Sequence, residues 1–264
     1  MPGINKIKFI NSLKQKKNRK QHSLFIIEGE KMVDELIDSH FDIHSVYALK
    51  SWIIERGLAP GKVLRANAQK FALYEIKGPE LERISSLATP NKVLALARMP
   101  SCTIEGYNPA KSITLMLDKV QDPGNLGTLI RSADWFGVDN IILSEDSAEA
   151  TNPKVVQSTM GSLLRVRFHY LDLLSFLKSP GMEGIPVIGA LTGAPSVYPV
   201  SLPEYGVIVL GNESQGISRE IEKHVTQRIS IPSFSKGSSS PQSLNVAVAG
   251  SIILSEIRRK IITG

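Results

Sequence analysis

Asp118-Lys-Val-Gln-Asp-Pro-Gly-Asn-Leu-Gly-Thr-Leu-Ile-Arg131 is the stretch on which the reading of this chain turns. Before it, Ser112 to Leu117 (SITLML) is an apolar, branched run of strand length. Asp122-Pro123-Gly124-Asn125 breaks that strand with turn chemistry, and Asp122, directly before a proline, is placed to cap a helix. Leu126, Leu129, Ile130 and Ala133 follow at the spacing of a buried helical stripe. Gly127 and Arg131 are expected on another face, and helical side chains lean toward the N-terminus. The Arg131 guanidinium then reaches back over a residue without a side chain, toward the free N–H groups of the helix start. Such a place suits a phosphate, although a strand, a Pro-Gly turn and a helix with one exposed arginine also recur in α/β domains without that role.

The chain has 264 residues, enough for one large or two modest cores. Its 42% hydrophobic and 21% charged residues are ordinary for a globular protein. A single cysteine, Cys102, excludes an intrachain disulfide framework and suits a reducing compartment. The Cys and His spacings match no metal-ligand pattern, so no metal is expected. No apolar run approaches the ~18 residues that span a bilayer, and MPGINKIKF lacks the apolar core of a secretion signal. A cytoplasmic protein without a membrane partner is expected. The net charge of +6 is concentrated near the start, where Lys14, Lys16, Lys17, Arg19 and Lys20 follow Lys6 and Lys8. These residues read either as a solvated helix face or as an attraction for a polyanion such as RNA.

Residues 1–98 read as one α/β unit. A basic helix is expected from Ile4 to about Gln21, a strand at 24–27, a helix at 28–39, and strands at 43–49 and 62–66. Short helices are expected at 71–74 and 79–87, and a strand at 92–97. Residues 99–110, with their Pro/Gly/polar character, read as a linker. From 111 to 264, strand and helix patterns alternate, which argues a mostly parallel sheet covered on both faces. Strands are expected at 112–117, 139–143, 186–191, 206–211 and 228–231, and helices at 123–136, 153–160, 171–178, 218–224 and 243–260. The last helix is apolar almost all round, which points to burial from more than one side.

Two further strand ends carry unusual loops. Val207 to Leu210 runs into Gly211-Asn-Glu-Ser-Gln-Gly216, whose glycines permit positive φ and a close backbone approach to a ligand. This is neither a Walker loop nor a dinucleotide fingerprint. Ile231-Pro232 leads through a serine-rich stretch to Ser243-Leu-Asn245, with Ser243 placed as the cap of the last helix. In a parallel sheet all three loops emerge at the carboxyl ends of strands, where open α/β folds bind ligands.

Together NLGTLIRSADWFG (125–137), LGNESQGIS (210–218) and ISIP…SLNVAVA (229–249) resemble the three motifs of the SpoU (TrmH-type) branch of the SPOUT RNA methyltransferases, in family order and at family-like separations. The first unit, with FIIEGEKMVDELI as the best match, is similar to that family's small ribosomal-protein-like substrate-binding domain. The resemblance implies an α/β catalytic domain at 111–264 with a deep C-terminal trefoil knot, a rare exception to the unknotted rule. It implies S-adenosylmethionine as cofactor, with Gly211, Ile231 and Leu244 among its contacts. Asn212, Gly216, Leu191 and Thr192 are expected around the same pocket. It also implies methyl transfer to a ribose 2′-hydroxyl of structured RNA, ribosomal RNA ahead of transfer RNA, by a homodimer joined through the C-terminal domain.

The positions that match the family's catalytic residues are Asn125, Arg131, Glu213, Ser243 and Asn245. Arg131 is assigned to grip the phosphate beside the target ribose through a forked, charge-assisted contact. A guanidinium does not give up its proton in proteins, so the base stays open between phosphate, water and Glu213. Lys14, Lys16, Lys17, Arg19 and Lys20 are the expected RNA contacts. The stretch Ser233 to Gln242 is longer and richer in serine than the family pattern, which predicts that cofactor binding orders it. A catalytically silent RNA-binding or ribosome-assembly factor of the same fold is the alternative, disfavoured by the intact catalytic set.

Overall fold

The computed structural model describes residues 4–59, 63–66, 69–100, 104, 106–235 and 243–263. The chain divides into two compact units, one made of residues 1–101 and 149–164, the other of 102–148 and 165–264.

The N-terminal unit runs α1 (Ile4–Ser12), α2 (Lys16–His22), β1 (Leu24–Glu28), α3 (Glu30–Asp38), β2 (Ile43–Ala48), α4 (Lys50–Glu55), β3 (Val63–Ala66), β4 (Gln69–Glu75), α5 (Gly78–Ile84) and β5 (Val93–Arg98). Its mixed sheet has the order β1-β5-β2-β4-β3, with β2 and β4 parallel and the other pairs antiparallel. Ile7, Ile10 and Leu13 pack with Leu24, Ile26, Leu94, Leu96, Leu81 and Ile84 in a single core.

Several expectations are corrected here. The basic segment is not one helix. It breaks after Ser12, because Arg19 folds back and donates from Nη1 to the carbonyls of Leu13 (3.1 Å) and Lys14 (2.8 Å). Those bonds satisfy carbonyls that a continuous helix would have used. Residues 71–74 form the middle of strand β4, not a helix: Phe71 and Leu73 alternate into the core, a period of two that a short apolar run hides. Helix α4, with its buried Trp52 and Ile53, was not foreseen.

Residues 149–164 join the N-terminal unit rather than the expected 111–264 domain. They carry α7 (Pro153–Thr159), capped by Asn152, whose side chain accepts from the Lys154 amide. Val155 and Val156 are buried, and α7 packs on β1. Glu149 pairs with Arg19 at 2.7 Å, with both side chains largely buried. Gly161 sits at φ +95°, where a side chain is strained, and a Cβ there would also displace the Glu35 carboxylate. The expected linker is also shorter than 99–110, because Tyr107 and Ile104 pack against the core of the second unit and Tyr107 hydrogen-bonds Thr114.

The C-terminal unit contains β6 (Ile113–Leu117), α6 (Pro123–Trp135), β7 (Asn140–Leu143), β8 (Arg167–Tyr170), α8 (Leu173–Leu177), β9 (Val187–Ala190), β10 (Gly206–Leu210), α9 (Arg219–Glu222), β11 (Gln227–Ile229) and α10 (Val246–Thr263). Its sheet is parallel throughout, in the order β11-β9-β10-β6-β7-β8. The expected strands are present, and β8 (RFHY) is an addition whose short edge pattern was too weak to stand out. After β6 the chain moves toward β7 and β8, whereas β10 leads to the other side. The crevice between the ends of β6 and β10 is thus a topological switch point, the place where such sheets bind ligands. Helix α6 packs on α10 so closely that a Cβ on Gly250 would meet Leu129 and Leu210, each at 2.7 Å.

Candidate active site

Four chain segments converge at this switch point. Helix α6 starts where expected: Asp122 Oδ1 accepts from the Asn125 amide at 2.8 Å, and Pro123 occupies the first turn. This cap places Asn125 at the mouth of the crevice. Leu126, Leu129, Ile130 and Ala133 are buried as the periodicity requires, but Gly127 is buried beside them, so the apolar stripe is wider than expected.

At the end of β10 the Gly-Asn-Glu loop closes on itself, with Asn212 and Gly216 exchanging backbone hydrogen bonds at 3.0 and 2.9 Å. Gly211 is required there, since a Cβ would fall 2.1 Å from the carbonyl carbon of Gly216. The Asn212 side chain is taken up by the loop. Its Oδ1 accepts from the Ser214 and Gln215 amides, both at 3.0 Å, and its Nδ2 donates to Lys119 O at 2.9 Å. The side chain and the backbone N–H of Asn212 are thus both committed to the loop.

The start of α10 departs from expectation. Asn245, not Ser243, is the cap: its Oδ1 accepts from the Ala247 amide at 2.9 Å and the Val248 amide at 3.3 Å. Ser243 lies two residues earlier and is exposed. An Asx side chain immediately before the first helical residue outcompetes a serine two residues too early.

Asn245 then fixes everything else. With its oxygen committed to the helix, its Nδ2 donates to Asn125 Oδ1 at 2.8 Å. Asn125 in turn must present Nδ2 to Glu213 Oε1, also at 2.8 Å. A one-directional chain thus runs from the α10 amides through Asn245 and Asn125 into Glu213, whose carboxylate oxygen accepts at its end. Three predicted residues, 88 and 120 positions from Asn125 along the chain, are brought into contact.

Arg131 is exposed on α6 and makes no hydrogen bond or ion pair among the described residues. It lies six residues past Asn125, about 9 Å along the helix axis. Thr128, Arg131 and Trp135 share the outward stripe, and Trp135 is 83% exposed.

The remaining predicted contacts sit on neighbouring strand ends. Leu191 and Thr192 follow β9, with the Leu191 amide bonded to Ile229 O at 2.9 Å. Ile231 follows β11 and is half-buried, whereas Leu244, before α10, is half exposed. Apolar side chains at strand ends suit a nucleoside. Two cavities in this unit lie elsewhere, lined by Tyr107, Phe176 and Met182 and by Pro186, Val187 and His224. The predicted residues line neither.

The sequence pattern of the SpoU rRNA Methylase family matches residues 112–255, and that of the MRM3-like substrate binding domain matches residues 5–95. This chain belongs to the SpoU rRNA methylase family. It is similar to the 23S rRNA (guanosine(2553)-2′-O)-methyltransferase RlmP of Bacillus subtilis, with 29% identity over 254 residues, 96% of each protein. A Porphyromonas gingivalis structure described as an RNA methyltransferase of the TrmH family superposes with a TM-score of 0.85 and 35% identity, covering 98% of this chain and 99% of that one. The AdoMet-bound rRNA methyltransferase of Sinorhizobium meliloti shares the fold, with a TM-score of 0.82 and 24% identity over 99% and 97% of the two chains.

In this SpoU protein the basic segment divides into anchors and free charges. Arg19, expected to touch RNA, is 2% exposed and holds Glu149, so it is a structural anchor. Lys14 donates to Ser85 O at 2.8 Å. Its pKa is lowered, chiefly because burial disfavours the ammonium, with Glu28 pulling the other way. Lys16, Lys17 and Lys20 remain exposed.

The sequence reading missed Asp118 and Lys119. Asp118 is 2% exposed and accepts from the Ser218 amide at 2.7 Å, and Lys119 adopts φ 58°. A polar residue ending an apolar strand was the available signal. Residues 236–242 of the serine-rich stretch lie outside the described residues, so the expected ordering of that loop has no structural counterpart here.

Proposed function

We propose that this protein methylates a ribose 2′-hydroxyl of RNA, with ribosomal RNA as the favoured substrate, S-adenosylmethionine as methyl donor and the cytoplasm as its location. The observation that carries this reading is the Asn245–Asn125–Glu213 chain at the switch-point crevice.

Leu191, Thr192, Gly211, Gly216, Ile231 and Leu244 would hold the donor, with Asn212 shaping the loop beside it. S-adenosylmethionine, when bound, supplies an electrophilic methyl group on sulfur, whose departure leaves a neutral thioether. The chain's own residues do the rest. The 2′-oxygen attacks the methyl carbon in line, the carbon–sulfur bond breaks, and the hydroxyl proton leaves. Glu213, oriented by Asn125, is the acceptor for that proton within the network. Arg131 grips the phosphate beside the target ribose with its fork and offsets charge developing on the oxygen. Alignment of donor and acceptor supplies several kcal/mol of the barrier reduction, on the order of the effect of well-oriented intramolecular reactions. Lys16, Lys17 and Lys20 add sequence-independent attraction to the RNA backbone.

A homodimer with a trefoil-knotted C-terminal domain completes the reading. Trp135, Leu244 and Val248, exposed by 83%, 50% and 48%, flank the α6–α10 seam, a concentration of apolar surface that favours a second copy. Arg131 sits in the same stripe, where a partner would bring it substrate.

Incubation of the protein with ribosomal RNA and methyl-labelled S-adenosylmethionine tests the proposal. Label in alkali-stable dinucleotides is expected, since a 2′-O-methyl group blocks strand cleavage. Label in a base, or cofactor binding without transfer to any RNA, would overturn it.

A further inference from the structure

Asp118 and Lys119 hold both ends of the Gly-Asn-Glu loop from one strand terminus. The Asp118 amide donates to Leu210 O at 2.9 Å, carrying the β6–β10 pairing one residue beyond the strands. Its carboxylate, 2% exposed, accepts from the Ser218 amide at 2.7 Å, where the loop ends. Lys119 follows at φ 58°, a left-handed conformation that a residue with a side chain adopts only when its surroundings demand it. The demand is visible. The turn lets the Lys119 amide donate to Ser144 Oγ at 2.9 Å and aims its carbonyl at Asn212 Nδ2, also at 2.9 Å, where the loop begins. Ser144 is backed by Ser147 at 2.8 Å, and both serines are buried.

Glu213 lies between these two grips. Because Gly211 packs against the Gly216 backbone with no room for a Cβ, and Asn212 and Gly216 pair through their backbones, whatever fixes the loop's ends also fixes where Glu213 meets Asn125. A neutral acceptor would serve for the Ser218 amide alone. A buried carboxylate is costly, and no ion-pair partner for it is present among the described residues; the Lys119 ammonium instead lies 3.8 Å from Asp146. What the carboxylate adds is a stronger, shorter bond to the loop.

We propose that Asp118 is a positioning residue that acts through Glu213, setting the carboxylate's reach by gripping the exit of its loop. This rests on the methyl-transfer reading only for the role of Glu213.

The test uses Asp118→Ala and Asp118→Asn in the full chain, each alone and combined with Glu213→Gln. Asp118→Ala is expected to lower single-turnover methyl transfer about 30-fold, while the Kd for S-adenosylmethionine changes less than about 3-fold. Asp118→Asn, which still accepts from Ser218, recovers the rate to within about 5-fold of the parent. On a Glu213→Gln background, Asp118→Ala costs less than about 2-fold more, because both changes disable the same group. Full multiplication of the two losses, an equal loss of cofactor affinity and rate, or parental turnover in Asp118→Ala would each overturn the proposal. Exchange of the Ser218 amide in the free protein decides independently of activity. It should quicken about 10-fold or more in Asp118→Ala, and an unchanged rate sinks the clamp. If the parent protein transfers no methyl group, the functional reading fails alone and this exchange measurement still stands.

Discussion

Asn245 donates its side-chain amide to Asn125 at 2.8 Å while its own carbonyl oxygen caps α10. One residue therefore both starts a helix and sets the orientation of the site. The two roles are separable. In Asn245→Asp the cap oxygen survives but the donor to Asn125 is lost, so stability should stay close to the parent while transfer falls about 10-fold or more. Asn245→Ala removes both and should in addition cost about 1 kcal/mol of stability. Paired denaturation and kinetic measurements check this, and equal rates in Asn245→Asp and the parent would detach the cap from the chemistry.

Arg131 has no partner to satisfy among the described residues, so its replacement should leave folding intact. Arg131→Ala is expected to lower transfer about 100-fold or more with the cofactor Kd unchanged. Arg131→Lys should not restore the rate, because a point charge cannot reproduce a planar fork. Rescue by lysine would show that charge alone is used.

The basic segment predicts two opposite phenotypes. Arg19→Ala breaks a buried pair and strands Glu149, with a cost of about 3 kcal/mol that urea unfolding will register. Simultaneous replacement of Lys16, Lys17 and Lys20 by alanine should leave stability within about 0.5 kcal/mol. The same triple change should flatten the slope of log K for RNA against log salt by about 2. An unchanged salt slope would remove these lysines from the RNA interface.

The exposed apolar residues beside the α6–α10 seam predict dependence on self-association. Trp135→Glu with Val248→Glu should convert a dimer into a monomer in sedimentation and abolish transfer. A parent protein that is fully active as a monomer would exclude this arrangement.

The catalytic unit was more legible in the sequence than the N-terminal one, for physical reasons. Its central strands are buried on both faces and read as continuous apolar runs, and Asp122 capped α6 as its type and position required. What periodicity could not reveal was reciprocal use of side chains over long separations. Arg19 looked like one more surface charge until Glu149 came to meet it across 130 positions. Strand β4 was mistaken for a helix because four apolar residues carry no decisive period. Ser243 was preferred as a cap over Asn245 because spacing alone does not tell where a helix begins. Asp118 escaped notice because its partner is a backbone amide, which leaves no trace in sequence.

The most direct measurement is the single-turnover methyl-transfer rate of Asn125→Ala, taken together with its affinity for S-adenosylmethionine. Asn125 is the middle of the chain joining α10 to Glu213, so its removal should cut the rate about 100-fold while the Kd stays within about 3-fold of the parent. A rate equal to that of the parent protein would contradict the account.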